Sequence, residues 1–156
     1  MKISNVHSHL NGLEFMLVNR PELWREIQDL VSGVDIDAEI PKGSSWVAWK
    51  KTVFALLRQR QWQDSSNRKV KALTRDRVLF DIGLSKNDFP SNYLFAIPLA
   101  LFALDEIDVG IQVLPMNSLR HNRKKDAACY LNGIHDLVKK GRGIPAVPLV
   151  IIGVDA

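Results

Sequence analysis

Arg77-Val-Leu-Phe-Asp81-Ile-Gly83-Leu-Ser-Lys86 is the stretch on which the fold of this chain turns. From Arg77 to Leu84 it is a nearly continuous apolar run, the pattern of a strand buried on both faces of a sheet. One carboxylate, Asp81, interrupts it. A buried strand that presents a carboxylate, followed two residues on by a polar side chain, is one way of holding Mg²⁺ beside a phosphate. Here the residue two positions on is Gly83, which has no side chain. The scaffold is intact while much of the chemistry is missing.

Two further apolar runs, Ile107 to Leu114 and Val147 to Val154, read as companion strands. Before the first of them, Tyr93 to Leu104 is helix-like, with Pro98 expected to kink or interrupt it. Asp126 to Lys140 is an amphipathic helix stopped by Gly141-Arg142-Gly143. Toward the N-terminus, Lys2 to Val6 suits a short strand and Asn11-Gly12 a turn. Asn19 is expected to cap a helix that carries Pro21 in its first turn and runs to about Val31. Its apolar face is Leu23, Trp24, Ile27, Leu30 and Val31. Ser44-Ser45 is expected to cap a second helix, with a stripe of Trp46, Trp49, Val53, Phe54 and Leu57. Lys50, Lys51 and Arg58 lie elsewhere around it. Gln61 to Lys69 is polar, a loop or hairpin. Strands alternating with helices imply an α/β fold, a largely buried sheet with helices on both sides, in one domain over residues 1–156.

Bulk properties agree. A chain of 156 residues with 46% hydrophobic and 24% charged content suits one soluble domain with a single core. No apolar run reaches the roughly eighteen residues that span a bilayer, and the first residues lack the apolar core of a signal peptide. Cys129 is the sole cysteine, so an internal disulfide is excluded and a reducing cytoplasm is expected. The net charge of +4 is unevenly spread. Residues 42–77 hold ten Lys/Arg against two acids, and residues 118–156 hold seven against three. Residues 1–41 hold three Lys/Arg against seven acids. Two basic blocks on an otherwise acidic body suit a polyanion, and they equally suit the solvated faces of surface helices.

Six stretches resemble the BglII/BstYI group of type II restriction endonucleases, most closely its BstYI-like members. They are Ser8-His-Leu-Asn-Gly-Leu-Glu14, Leu23-Trp-Arg-Glu-Ile27, Asp76-Arg-Val78, Ile107-Asp-Val-Gly110, Leu114-Pro-Met116 and Gly141-Arg-Gly-Ile-Pro-Ala-Val-Pro-Leu149. They occur in family order almost end to end, and the resemblance is weakest over residues 32–71. It implies a PD-(D/E)XK restriction-endonuclease-like fold, a mixed central sheet flanked by helices. It further implies a homodimer clamping double-stranded DNA, and Mg²⁺-dependent cleavage of palindromes built around GATC.

The same resemblance implies an Asp nine residues before a Glu, and a Gln two residues after it. Those positions are here Ala72, Asp81 and Gly83. Asp76 is no substitute, because the family carries an Asp there as well as its catalytic one. Asp81 and the Ile82 carbonyl are the metal ligands that remain, a poor site for an ion that prefers six oxygens. The alternative for Asp81 is a leftover carboxylate satisfied by hydrogen bonds, or by Arg75 or Arg77.

Ser85 and Lys86 fall where the resemblance places residues that approach DNA. Asn117 to Asp126, which contains Arg120, Asn122, Arg123, Lys124 and Lys125, falls where the family reads base edges. Arg and Lys pair with guanine and Asn with adenine, although the lysines also suit backbone phosphates. His7 and His9 alternate along a strand, which suits either zinc or packing, and packing is favoured because no other spaced ligands accompany them. Cys129 is expected in the core. Phe95 to Leu104 is expected to be core, a dimer helix, or part of each. The expected protein is a dimeric DNA-binding relative with little or no cleavage, its Mg²⁺ needed only if it cuts. The rivals are an active enzyme with an unconventional metal site around Asp81, and a protein-interaction module that reuses the dimer surface.

Overall fold

The computed structural model describes residues 1–34, 42–66, 72–83, 95–117, 129–141 and 143–155. Six strands form one mixed sheet in the order β1-β6-β5-β4-β3-β2. They are β1 (Lys2–His9), β2 (Gln63–Asp64), β3 (Leu73–Arg75), β4 (Val78–Ile82), β5 (Val109–Pro115) and β6 (Leu149–Asp155). The central strands β4, β5 and β6 run parallel, and β1, β2 and β3 join antiparallel. All seven residues of β5 are buried, as a parallel strand covered on both faces requires.

Helices α1 (Gly12–Asn19), α2 (Pro21–Gly33) and α3 (Lys42–Gln59) precede β2 in the chain. Helix α4 (Ala96–Ala103) lies between β4 and β5, and α5 (Tyr130–Lys140) between β5 and β6. On one face of the sheet, the buried stripes of α2 and α3 pack on Val78, Phe80, Ile82, Val109, Ile111 and Val113. The five apolar positions expected for each of these helices are all buried. On the other face, Phe95, Tyr130 and Leu137 cover Leu114, Leu149 and Ile151, while Leu101 and Ile107 cover Leu79.

Strand β4 is launched by a tight hairpin from β3. Its two turn residues, Asp76 and Arg77, both have positive φ, 49° and 63°, the conformation a two-residue hairpin uses to match strand twist. Neither is glycine, so the turn costs backbone strain. Arg77 is held by bonds to Asp105 and Asp108 at 2.6 and 3.0 Å, and its carbonyl accepts from the Asp108 N–H at 2.7 Å.

Several expected details are corrected. Helix α1 is apolar nearly all round, with Leu17 and Val18 exposed, so it carries no helical periodicity to read. Asn19 ends α1, its amide donating to the Phe15 carbonyl at 3.2 Å, and Arg20 is the residue before α2. Ser44 and Ser45 lie inside α3, not at its cap. Pro98 is the third residue of α4, where a backbone N–H has no helical partner to lose, so the helix runs on. Cys129 is buried as expected, but it precedes α5 as its N-cap. The turn expected around Gly141 is present, with φ of 86° at the end of α5. The short strand β3 has no counterpart in the sequence reading. Among the described residues, no helix is long and apolar enough to cross a membrane.

Candidate functional site

Strand alternation sends Val78, Phe80 and Ile82 toward α2 and α3, and Leu79 and Asp81 to the opposite face. Asp81 pairs in register with Gln112 on β5. Gln112 is the one polar residue inside the apolar run of that strand, and it is buried. Its side-chain amide donates to Asp81 Oδ2 at 3.3 Å. The Ile82 backbone N–H donates to Asp81 Oδ1 at 2.7 Å.

The remaining partner comes from α3. Lys50 Nζ donates to Asp81 Oδ1 at 3.2 Å and also to the Ile82 carbonyl. Lys50 precedes Phe54 by four residues, so the two share a helical face at the margin of the buried stripe. Its ammonium stands 5.1 Å from the Phe54 ring centroid, where the aliphatic stem can lie on apolar surface while the charge reaches outward. The Lys50 and Asp81 side chains keep 21% and 19% exposure. The site is a shallow, partly desolvated ion pair.

The other two positions that the resemblance assigns to the motif hold Ala72 and Gly83. Ala72 is 1% exposed and packed against the apolar cluster of Leu79, Leu101 and Ile107. Gly83 continues the parallel ladder, its N–H donating to the Val113 carbonyl at 3.0 Å, and offers nothing more.

These residues do not fit Mg²⁺. The ion needs near-octahedral oxygen coordination and usually keeps one or two carboxylates. The two acceptor directions of Asp81 Oδ1 are taken by Lys50 and Ile82 N–H. The Ile82 carbonyl is taken by Lys50 as well. Among the described residues, no group of three or more His, Cys, Asp or Glu is placed to hold a metal ion.

Arg75 and Arg77, the cations offered in the alternative reading of Asp81, are engaged elsewhere. Arg75 pairs with Glu26 at 3.3 Å and Asp76 at 3.5 Å. Hydrogen bonding to Asp105, then to Asp108, pushes the Arg77 guanidinium still higher above its ordinary pKa. Arg58 pairs with Asp64 at 2.6 Å and Arg60 with Glu26 at 4.0 Å. Five cations of the basic block at 42–77 are therefore already matched by acids, and its positive field is smaller than the sequence count suggests. Ser85, Lys86, Arg120, Asn122, Arg123, Lys124 and Lys125 lie outside the described residues.

His9 Nε2 stands 2.8 Å from the Pro145 carbonyl. Burial, and then the neighbouring His9, lower the His7 pKa. Both observations favour packing over zinc. Ser8 donates to Glu14 at 2.5 Å, the main reason the Glu14 pKa is lowered.

Lys50 and Gln112 are the site residues that sequence reasoning passed over. Gln112 was detectable as a lone amide within a buried strand. Lys50 had only its position on the flank of an apolar stripe, and contact with β4 is a long-range property.

Comparison with known proteins bears on the family and the fold. The family model described as restriction endonuclease BglII/BglIII matches residues 4–154. A solved structure titled "Crystal structure of free BglII" superposes with a TM-score of 0.69 at 17% identity, covering 100% of this chain and 80% of that one. No curated protein sequence matches.

Proposed function

The chain belongs to the BglII/BglIII restriction endonuclease family and carries the restriction-endonuclease-like fold, and from that premise we propose that it binds double-stranded DNA while its strand-cleaving chemistry is impaired or lost. The observation that carries this reading is Lys50, whose ammonium spans the Asp81 carboxylate and the Ile82 carbonyl, the two ligands left for a metal. Ala72 in an apolar cluster and the bare backbone of Gly83 remove the other functional side chains.

The proposed protein is one domain over residues 1–156, a homodimer, and cytoplasmic. Ser85, Lys86, Arg120, Asn122, Arg123, Lys124 and Lys125 supply its DNA contacts, with phosphate contacts setting affinity and any base reading coming from the 117–126 segment. Within this reading it occupies sites without cutting them, as a DNA-binding remnant or regulator.

A second reading keeps the enzyme. It is favoured by the same Lys50 amine, which sets beside Asp81 a polar group of the kind missing at Gly83. In that reading an atypical Mg²⁺ site around Asp81 supports cutting of GATC-centred palindromes. A third reading, a protein-interaction module, draws on α4 and the residue after it, where Leu99, Phe102 and Leu104 are exposed.

Gel-shift titration of mixed-sequence duplex, with parallel incubation of plasmid in Mg²⁺ or Mn²⁺, separates the three. Salt-sensitive binding without fragments is the expected result. Discrete fragments abolished by Asp81→Ala select the enzyme, and absence of any duplex affinity at low salt selects the interaction module.

A further inference from the structure

We propose that Lys50 is a tethered cation standing in place of the divalent metal, so that this site engages a DNA phosphate with no metal ion. The proposal deepens the DNA-binding reading and rests on it for the identity of the anion. The claim about the cation rests on the geometry of α3 and β4 alone.

A divalent ion in such a site has two jobs, to neutralise the carboxylate at the end of the strand and to present positive charge to a phosphate oxygen. Lys50 can do the first with the bonds already described. Its ammonium satisfies Asp81 Oδ1 and the Ile82 carbonyl together, bridging side chain and backbone as a bound cation would. Gln112 and the Ile82 N–H hold the carboxylate still from two other directions.

The second job needs a donor left over. A lysine ammonium has three N–H groups. Two have acceptors, and the third has none among the described residues. The side chain keeps 21% exposure, so that donor can meet a ligand. An ammonium held in this way costs little further entropy on binding, because the protein has already fixed it. The matching ligand is a monoanionic phosphodiester, one oxygen of which accepts a charge-assisted hydrogen bond from the ammonium.

A tethered cation also differs from a metal in what it cannot do. It does not lower the pKa of a bound water as Mg²⁺ does, so the site can hold a phosphodiester without activating a nucleophile against it. Binding and cutting are separated by one side chain. The arrangement further predicts that divalent ions compete for occupied oxygens and gain little.

Two measurements on the full chain test this. The first uses DNA-free protein and MnCl₂ as the calorimetric probe, with the wild type compared with Asp81→Asn. The expected result is no Asp81-dependent Mn²⁺ uptake at millimolar ion. Uptake by the wild type that disappears in Asp81→Asn overturns the proposal, whatever the DNA result. The second follows a fluorescent mixed-sequence duplex by anisotropy, in chelator and then in Ca²⁺. Wild-type affinity is expected to be the same in both to within about twofold. Lys50→Met should weaken binding in chelator about tenfold and lower the salt slope by about 0.9, the loss of one phosphate contact, while Lys50→Arg retains most of both. A gain of tenfold or more for the wild type in Ca²⁺, or unchanged affinity and slope for a folded Lys50→Met, overturns it. A wild type that binds no duplex in either solution removes the DNA-binding reading and with it the phosphate role, while the Mn²⁺ comparison still decides whether Lys50 replaces the metal.

Discussion

Around β6, Gly12 and Gly153 are small because other parts of the chain fill the space a side chain would need, whereas at the tip of β4 Ala72 and Gly83 are small where the family resemblance expects working side chains. A Cβ at Gly12 would collide with the Leu149 backbone, and one at Gly153 would collide with Met116 Sδ and approach the Tyr130 ring within 2.9 Å. Those glycines are demanded by close packing. Gly83 continues the strand ladder through its N–H bond to the Val113 carbonyl. The contrast teaches that the scaffold around β6 is built to tolerances of less than a methyl group, while the end of β4 carries one ion pair, Lys50 with Asp81, which the proposed reading sets in place of the family chemistry.

The contrast breaks first if the scaffold proves permissive. Gly12→Ala sets a methyl group against backbone, which cannot rotate away, and should cost about 3 kcal/mol or more in urea unfolding. A cost under about 1 kcal/mol would show that α1 slides freely over β6 and that the tolerance is not there. Next comes the motif position. Ala72→Asp should lower stability by about 2 to 3 kcal/mol, because the carboxylate enters the apolar cluster of Leu79, Leu101 and Ile107. Restoring that residue alone should therefore not restore cutting in Mg²⁺. Appearance of plasmid fragments after Ala72→Asp would mean that the depleted tip is one substitution away from the family chemistry.

A smaller effect sharpens the ion pair itself. Lys50→Met should cost about 1 to 2 kcal/mol by leaving Asp81 without its cation in a partly desolvated place. The double variant Lys50→Met/Asp81→Asn should recover much of that loss, since the amide carries no charge to leave unpaired. Equal costs in the single and double variants would mean that Lys50 stabilises through its stem on Phe54 and not through its charge.

The smallest effect belongs to the scaffold again. The folded-state pKa of His7 lies below its ordinary value of 6.5, because burial disfavours the charged ring. The folded protein then binds fewer protons than the unfolded chain, so this contribution is constant above about pH 6.5 and stability falls as pH drops below it. His7→Gln should flatten the decline in that window, as followed by thermal unfolding at a series of pH values. An unchanged decline would assign it to other groups.

The architecture was largely legible because its signals are local. The nearly continuous apolar run of β4, the alternate faces of α2 and the glycine stop after α5 each follow from a few neighbouring residues. The core of α3 was legible for the same reason, but its cap was not, since Ser44 and Ser45 have the chemistry of caps and sit one turn too late. Helix α1 was hidden by being apolar on every side. At the site, Asp81 stood out as a charge in an apolar run, and Gly83 as an absence beside it. Lys50 was invisible because thirty-one residues separate it from Asp81, and among ten basic residues of its block nothing marked it out. The pairing of that block's arginines with Glu26, Asp64, Asp105 and Asp108 was likewise hidden, because it is settled only by the fold.

The most direct test of the central claim is a plasmid assay at low salt that reads retardation and strand breaks in the same lanes, first in chelator and then in Mg²⁺. The account predicts retardation in chelator that weakens by at least about tenfold toward physiological salt, with the plasmid still supercoiled after Mg²⁺ is added. Discrete linear fragments in Mg²⁺, or plasmid that migrates unshifted at every protein concentration, would contradict it.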